Sequence, residues 1–288
     1  MSWTVATFYK FAPLTAPAQL QQDLRVEGQR LGLKGTLILA SEGINATVAG
    51  SRPAIDQILT WLQHHPDLGY FTHQEFETEV VPFARLKVKL KPEIVSLGRP
   101  DINPSQGVGT YVDPQDWNAL ITDPEVVVID TRNAFEVDLG TFSGALNPQT
   151  RSFRDFPAYL ESTLHPADQP KIALFCTGGI RCEKATAYLR QQGFSQVYHL
   201  QGGILNYLRQ VPPVDSLWQG QCFVFDDRVA LDHQLQATPY QLCPGCGHPL
   251  GPTDTQSPDY EPGISCPHCY HTLTPERRAR LAARQRWA

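Results

Sequence analysis

A short apolar run, Ile172 to Phe175, ends at Cys176, and a helical stretch from Glu183 to Gln192 follows. Cys176 therefore opens a loop of Thr177, Gly178, Gly179, Ile180, Arg181 and Cys182 between a strand and a helix. A strand that is apolar throughout has to be covered on both faces, which places it in a parallel sheet flanked by helices. In such sheets a site is expected where the carboxyl end of a strand meets a helix. Two adjacent glycines let the backbone curl until several N–H groups face one point, and the helix N-terminus adds partial positive charge. Arg181 adds a full cation. These features lower a thiol pKa and suit a cysteine that is anionic or carries an anionic adduct. The plainer alternative, a cysteine that only fills the strand end, leaves the paired glycines and the arginine without a purpose.

The remaining pattern divides the 288 residues into three parts. Residues 1–95 read as a ferredoxin-like (acylphosphatase-like) βαββαβ sandwich. Its strands are expected at 3–11, 35–40, 47–49 and 85–91. One helix runs from Pro17 to Leu31, and a second, capped by Ser51, from Pro53 to Gln63. Glu42 to Asn45 read as hairpin chemistry more than as a binding loop. Residues 96–212 read as a parallel α/β domain, entered through a Pro- and Gly-rich linker at 92–115. Its strands are Val126 to Asp130, Ile172 to Phe175 and Val197 to Leu200, and Gly202-Gly203 precedes a last helix. Arg132 and Glu136, four apart, are within reach of an ordinary ion pair that would brace this domain. Residues 213–288 read as a Cys-rich irregular segment ending in a short helix that begins at Pro275.

Charge is unevenly spread. The formal net charge is −5, yet Arg85, Lys87, Lys89 and Lys91 sit together, and five arginines crowd the last fifteen residues. Arg85, Lys87, Lys89, Lys91, Arg277, Arg278 and Arg280 are the candidate nucleic-acid contacts. The bland reading of the first set is equally weighted, since lysines commonly protect an edge strand from pairing. Arg151 and Arg154 are either near the mouth of the site or simply solvated. No run approaches the roughly 18 apolar residues of a membrane span. The N-terminus lacks the segments of a signal peptide. Seven cysteines, four of them in Cys-x-x-Cys pairs, argue for a reducing compartment, the cytoplasm, and for metal-binding or catalytic roles.

Cys243, Cys246, Cys266 and Cys269 have the spacing of a four-thiolate structural zinc site, with disulfides and free thiols as the lesser readings. His248, His268 and His271 are then surface residues, and Cys222, outside the pairs, reads as packing.

Loop length separates two chemistries for Cys176. A cysteine phosphatase places its phosphate-binding arginine after five intervening residues, where this chain has Cys182; the arginine comes one residue earlier. Asp130-Thr-Arg-Asn133 with Glu136, Gly140 to Ala145, the Cys176 loop and Gly202-Gly-Ile204 together resemble a rhodanese domain. Cys176 to Lys184 is more narrowly similar to the rhodanese-domain tRNA uridine hydroxylases (TrhO family). So are Glu42-Gly-Ile-Asn45, Phe153 to Pro157, Cys222 to Arg228 and the closing Cys- and Arg-rich stretch. The resemblance spans nearly the whole chain; Ala46, where a glycine is expected in the hairpin, is the departure. It implies oxygen-dependent hydroxylation of the wobble uridine of tRNA to 5-hydroxyuridine, with Cys176 as the active cysteine and molecular oxygen as co-substrate.

Two other readings stand beside it. One is a sulfurtransferase carrying a persulfide on Cys176, and the other a catalytically inert tRNA-binding protein. The sequence has no flavin or nicotinamide glycine motif and no His/carboxylate triad with iron spacing. Cys182 reads either as helix-start packing or as a thiol that resolves an oxidised Cys176. Nothing in the sequence sets an oligomeric state.

Overall fold

The structure, a computed structural model, describes residues 2–285. Met1 and residues 286–288, including Arg286 of the basic tail, lie outside the described residues. Among the described residues no helix is long and apolar enough to cross a membrane.

The first part contains β1 (Trp3–Phe11), α1 (Pro17–Arg30), β2 (Lys34–Ala40), β3 (Gly43–Gly50), α2 (Arg52–Gln63), β4 (His73–Thr78) and β5 (Leu86–Leu90). The sheet order is β4-β1-β3-β2-β5, with β5 parallel to β2 and the other pairs antiparallel. The βαββαβ sandwich is present, but its closing strand is β4. The basic strand β5 is an additional strand on the opposite edge. Only Phe76 of β4 is buried, so the strand carries almost no apolar signal. In β5, Val88 is buried while Leu90 is exposed, so the expected apolar face is only partly used. The hairpin turn is tighter than expected: Ala40 pairs with Gly43, leaving Ser41 and Glu42 at the tip. Ala46 therefore lies inside β3, buried between Phe8 and Leu37, and does not shape the turn.

Side chains alternate along β1. Ala6 and Phe8 join Leu20, Leu24, Ile55, Ile58 and Leu62 under α1 and α2. Val5 faces away, into a core shared with the second part. Tyr9 and Phe11 pack on that same side with Ile94 and Ile180.

The second part comprises β6 (Thr110–Val112), α3 (Pro114–Ile121), β7 (Val126–Asp130), α4 (Ala134–Val137), β8 (Gly140–Phe142), α5 (Phe156–Thr163), β9 (Lys171–Phe175), α6 (Ile180–Gln191), β10 (Val197–Leu200) and α7 (Gly203–Gln210). Strands β6, β10, β9 and β7 form a parallel sheet in that order. Ala173 and Phe175 face Trp117 and the α7 residues Ile204, Leu205 and Leu208. Ile172 and Leu174 face Phe156 and Leu160 of α5 and Ala185 and Leu189 of α6. Both faces of β9 are covered, as its continuous apolar composition requires.

Beyond α7 the elements shorten to β11 (Trp218–Gly220), β12 (Cys222–Phe223), β13 (Ala230–Leu231), β14 (Gln241–Leu242) and β15 (Pro249–Leu250), then α8 (Pro275–Gln285). Trp218 of β11 pairs with Phe142 of β8, tying this segment to the parallel-sheet domain.

Candidate active site

Cys176 sits at the carboxyl end of β9 with 1% of its surface exposed, and its Sγ accepts a hydrogen bond from the Gly179 N–H at 3.1 Å. The loop is held from below by α7. The Ile204 and Leu205 N–H groups donate to the Cys176 and Thr177 carbonyls at 2.9 and 3.1 Å. That approach needs a glycine at 203, where a Cβ would lie 2.4 Å from the Cys176 carbonyl oxygen and φ is +68°.

Burial by itself pushes the Cys176 thiol up. A hydrogen bond from the Cys182 thiol, the nearby Arg181 charge and the Cys182 and Gly179 N–H groups more than offset it, bringing the pKa down from 9.0 to about 5. Cys182, itself fully buried, is pushed well up, first by burial and then by the Cys176 thiolate. The site thus separates two cysteines into one thiolate and one thiol. The Cys222 thiol is also buried and is pushed up to about 12, first by desolvation.

Arg181 is fixed by a two-pronged pair with Glu136 at 2.7 and 2.8 Å, and the carboxylate is fully buried. Glu136 is therefore not the partner of Arg132. Arg132 instead binds both oxygens of Asp130 (2.9 and 2.6 Å), and Asp130 also accepts from Thr141. Glu136 is the third residue of the four-residue α4, and its carboxylate also accepts from the Asn133 N–H at 3.1 Å. The Asp130–Arg132 pair braces the end of β7; the Glu136–Arg181 pair positions the loop cation.

Glu183 and Lys184 follow Cys182 on α6 and lie in the same motif, yet no spacing in the sequence marks them as functional. Glu183 accepts from Tyr9 Oη of the first part at 2.7 Å and from Tyr111 Oη at 2.8 Å. Its carboxyl pKa is raised, first by burial, and the Cys176 thiolate contributes in the same direction. Lys184 is fully buried and binds Glu42 (2.6 and 2.9 Å) and Glu93 (2.7 Å). Glu42 also accepts from the Ile94 N–H, and Asn45 donates to the Ile94 carbonyl. The Glu42 to Asn45 stretch therefore links the first part, the linker and the helix that follows Cys176.

Arg85, Lys87, Lys89 and Lys91 are exposed, and Arg85, Lys87 and Lys89 line a shallow groove with Arg25 of α1. Arg277 and Arg280 are exposed on α8. Arg278 is occupied by Glu261, the Tyr270 carbonyl and the Tyr270 ring. Arg151 and Arg154 are exposed, and the contacts described for the Cys176 loop do not include them.

Cys243, Cys246, Cys266 and Cys269 converge, with all four Sγ atoms within 4.8 Å of one another. A tetrahedral ion with metal–sulfur bonds of about 2.3 Å separates its sulfurs by about 3.8 Å. The Sγ–Sγ contacts are 3.8, 3.7 and 3.9 Å, far longer than a disulfide bond. The cluster can hold a metal ion. Gly245 makes the turn possible: a Cβ there would meet the Ile264 carbonyl at 2.4 Å and the Cys269 Sγ at 3.1 Å. His248 stacks on His268, while His268 and His271 lie 3.6 Å from Asp254 and Asp259.

Residues 3–94 match a family model described as the UPF0176 acylphosphatase like domain, and residues 113–210 match the rhodanese-like domain. A tRNA uridine(34) hydroxylase of Picosynechococcus sp. is 51% identical over 282 residues, covering 98% of this chain and 95% of that protein. Among solved structures, a rhodanese-like domain from Anabaena sp. is 20% identical over 38% of this chain and 78% of that one, with a TM-score of 0.33. An acylphosphatase from Coxiella burnetii is 17% identical over 30% of this chain and 92% of that one, with a TM-score of 0.25.

Proposed function

This chain belongs to the tRNA uridine(34) hydroxylase family, and on that premise we propose that it is an oxidoreductase that converts the wobble uridine of tRNA to 5-hydroxyuridine with molecular oxygen. The observation that carries the reading is the Cys176 thiol lowered to about 5 inside a loop of N–H donors. An inert binding domain has no need of such a thiolate.

Carbon 5 of uracil is a weak nucleophile until a nucleophile adds at carbon 6. The Cys176 thiolate adds there, and the electron pair displaced onto carbon 5 captures dioxygen as a hydroperoxide. The Cys182 thiol then takes the outer oxygen and becomes a sulfenic acid, leaving a hydroxyl on carbon 5. Loss of the carbon 5 proton expels Cys176 and restores the ring double bond. Cys176 condenses with the sulfenic acid to a disulfide, releasing water, and an external thiol reductant returns both cysteines to their starting state. The raised pKa of Cys182 keeps it a thiol for this role.

The four-cysteine cluster holds zinc in this reading, as a structural ion that folds a segment with little apolar core. The exposed cations of β5 and α8 supply the contacts to tRNA phosphates. A cytoplasmic setting fits the free thiols and the tRNA substrate.

Nucleoside mass analysis of tRNA from cells lacking the protein tests the function. Loss of 5-hydroxyuridine and its derivatives is the expected result. Loss of a thiolated base with 5-hydroxyuridine intact would replace the reading with persulfide transfer from Cys176.

A further inference from the structure

One side of the Cys176 loop is roofed by the segment Cys222 to Arg228. Its Phe223 carbonyl lies 3.5 Å from the Thr177 hydroxyl, which donates to it. Two residues on, Phe225 is 67% exposed, an unusual position for a phenylalanine beside a buried reactive group. Its ring lies edge to face with Phe223 at 4.9 Å, and the Arg181 guanidinium stands 6.0 Å from its centroid. Arg181 is the same cation that lowers the Cys176 pKa and that contacts Thr177 at 3.4 Å. Arg181 thus stands against the exposed ring and within electrostatic reach of the thiolate.

The ring is also held in place. Asp226 and Arg228, both buried, form a two-pronged pair at 2.8 and 2.6 Å. The Val224 N–H donates to the Val229 carbonyl, and the Asp227 N–H donates to the Pro82 carbonyl of the first part. An apolar ring kept in water on a braced turn is preorganised for a flat partner. A Cβ on Gly178 would meet nothing within 4 Å, so the loop leaves open space at that position, two residues after Cys176.

We propose that Phe225 is the stacking platform for the uracil of nucleotide 34, holding the base, turned out of the anticodon loop, against the Cys176 loop. This rests on the hydroxylase reading. Single-stranded bases are recognised by stacking on aromatic faces, and a base that is chemically altered has to leave its own stack. Phe225 touches substrate in this account, but it moves no proton or electron.

The test uses the full-length protein and an anticodon stem-loop carrying either uridine or an abasic site at position 34. Phe225→Ala weakens binding of the uridine stem-loop, and raises its KM, by roughly 5- to 150-fold, the range for loss of one base–aromatic stack. Binding of the abasic stem-loop stays unchanged. Phe225→Tyr and Phe225→Trp restore the affinity, whereas Phe225→Leu, apolar without a π face, behaves as the alanine variant. An unaltered KM in Phe225→Ala, an equal loss on both stem-loops, or rescue by leucine would overturn the assignment. Failure of the wild-type protein to hydroxylate uridine at all would instead remove the reading on which the inference rests.

Discussion

Replacing Cys182 by alanine should raise the Cys176 pKa by a predictable amount. The drop from 9.0 to about 5 amounts to about 5 kcal/mol in favour of the thiolate, at about 1.36 kcal/mol per pH unit. The Cys182 thiol is the largest contributor opposing desolvation. A hydrogen bond to a charged group is worth about 1.5–3 kcal/mol, so its removal shifts the midpoint from about 5 to between about 6 and 7. Cys182→Ser keeps an O–H donor and should stay near the wild-type value. Ultraviolet thiolate absorbance, taken as the difference from a matched Cys176→Ser protein across the pH range, reads the midpoint directly. The sign of the stability effect follows from the direction of the shift. The contribution is complete above pH 9.0, the thiol's ordinary value, and is lost as pH falls through about 5. A wild-type midpoint near 9, or one that Cys182→Ala leaves unmoved, would refute this account of the loop.

Lys184→Met leaves Glu42 and Glu93 facing each other without their cation. The expected loss is about 3–5 kcal/mol of stability, measured as a lower urea midpoint; an unchanged midpoint would show that this cluster does not lock the parts together. Cys266→Ser, or removal of the ion by a chelator, should expose residues 243–273 to protease while leaving the Cys176 midpoint unaltered, because the two cysteine sets lie in separate cores. Lys87→Gln combined with Lys89→Gln should lower the slope of log affinity for tRNA against log salt by about 1.4–1.8. An identical slope would return strand β5 to the role of a guarded edge.

The surroundings of Cys176 are legible because the strand before it is apolar from Ile172 to Phe175 and its loop carries paired glycines. The four-cysteine cluster was legible from spacing alone. Strand β4 was not, since Phe76 is its only buried residue and the other side chains are polar or charged. The sequence pattern consequently assigns the basic strand the closing position that β4 occupies in the fold. The ion pairing is hidden from the sequence for a different reason. Arg132 and Glu136 have helical spacing, but Arg181, 45 residues beyond Glu136, takes the carboxylate from α6, a pairing that only the tertiary fold brings about. Tyr9 lies 174 residues from Glu183, and no local pattern joins them. The period-2 alternation of β1 does place Tyr9 on the face away from α1 and α2, which is the part of that contact a sequence can carry.

The most direct measurement is single-turnover hydroxylation of tRNA under isotopically labelled dioxygen, comparing the wild-type protein with Cys176→Ser. The wild-type protein should place the label on carbon 5 of uridine 34, and Cys176→Ser should place none. Label at uridine 34 with Cys176→Ser, or sulfur in place of oxygen with the wild type, would contradict the assignment of Cys176 as the thiolate that activates the base.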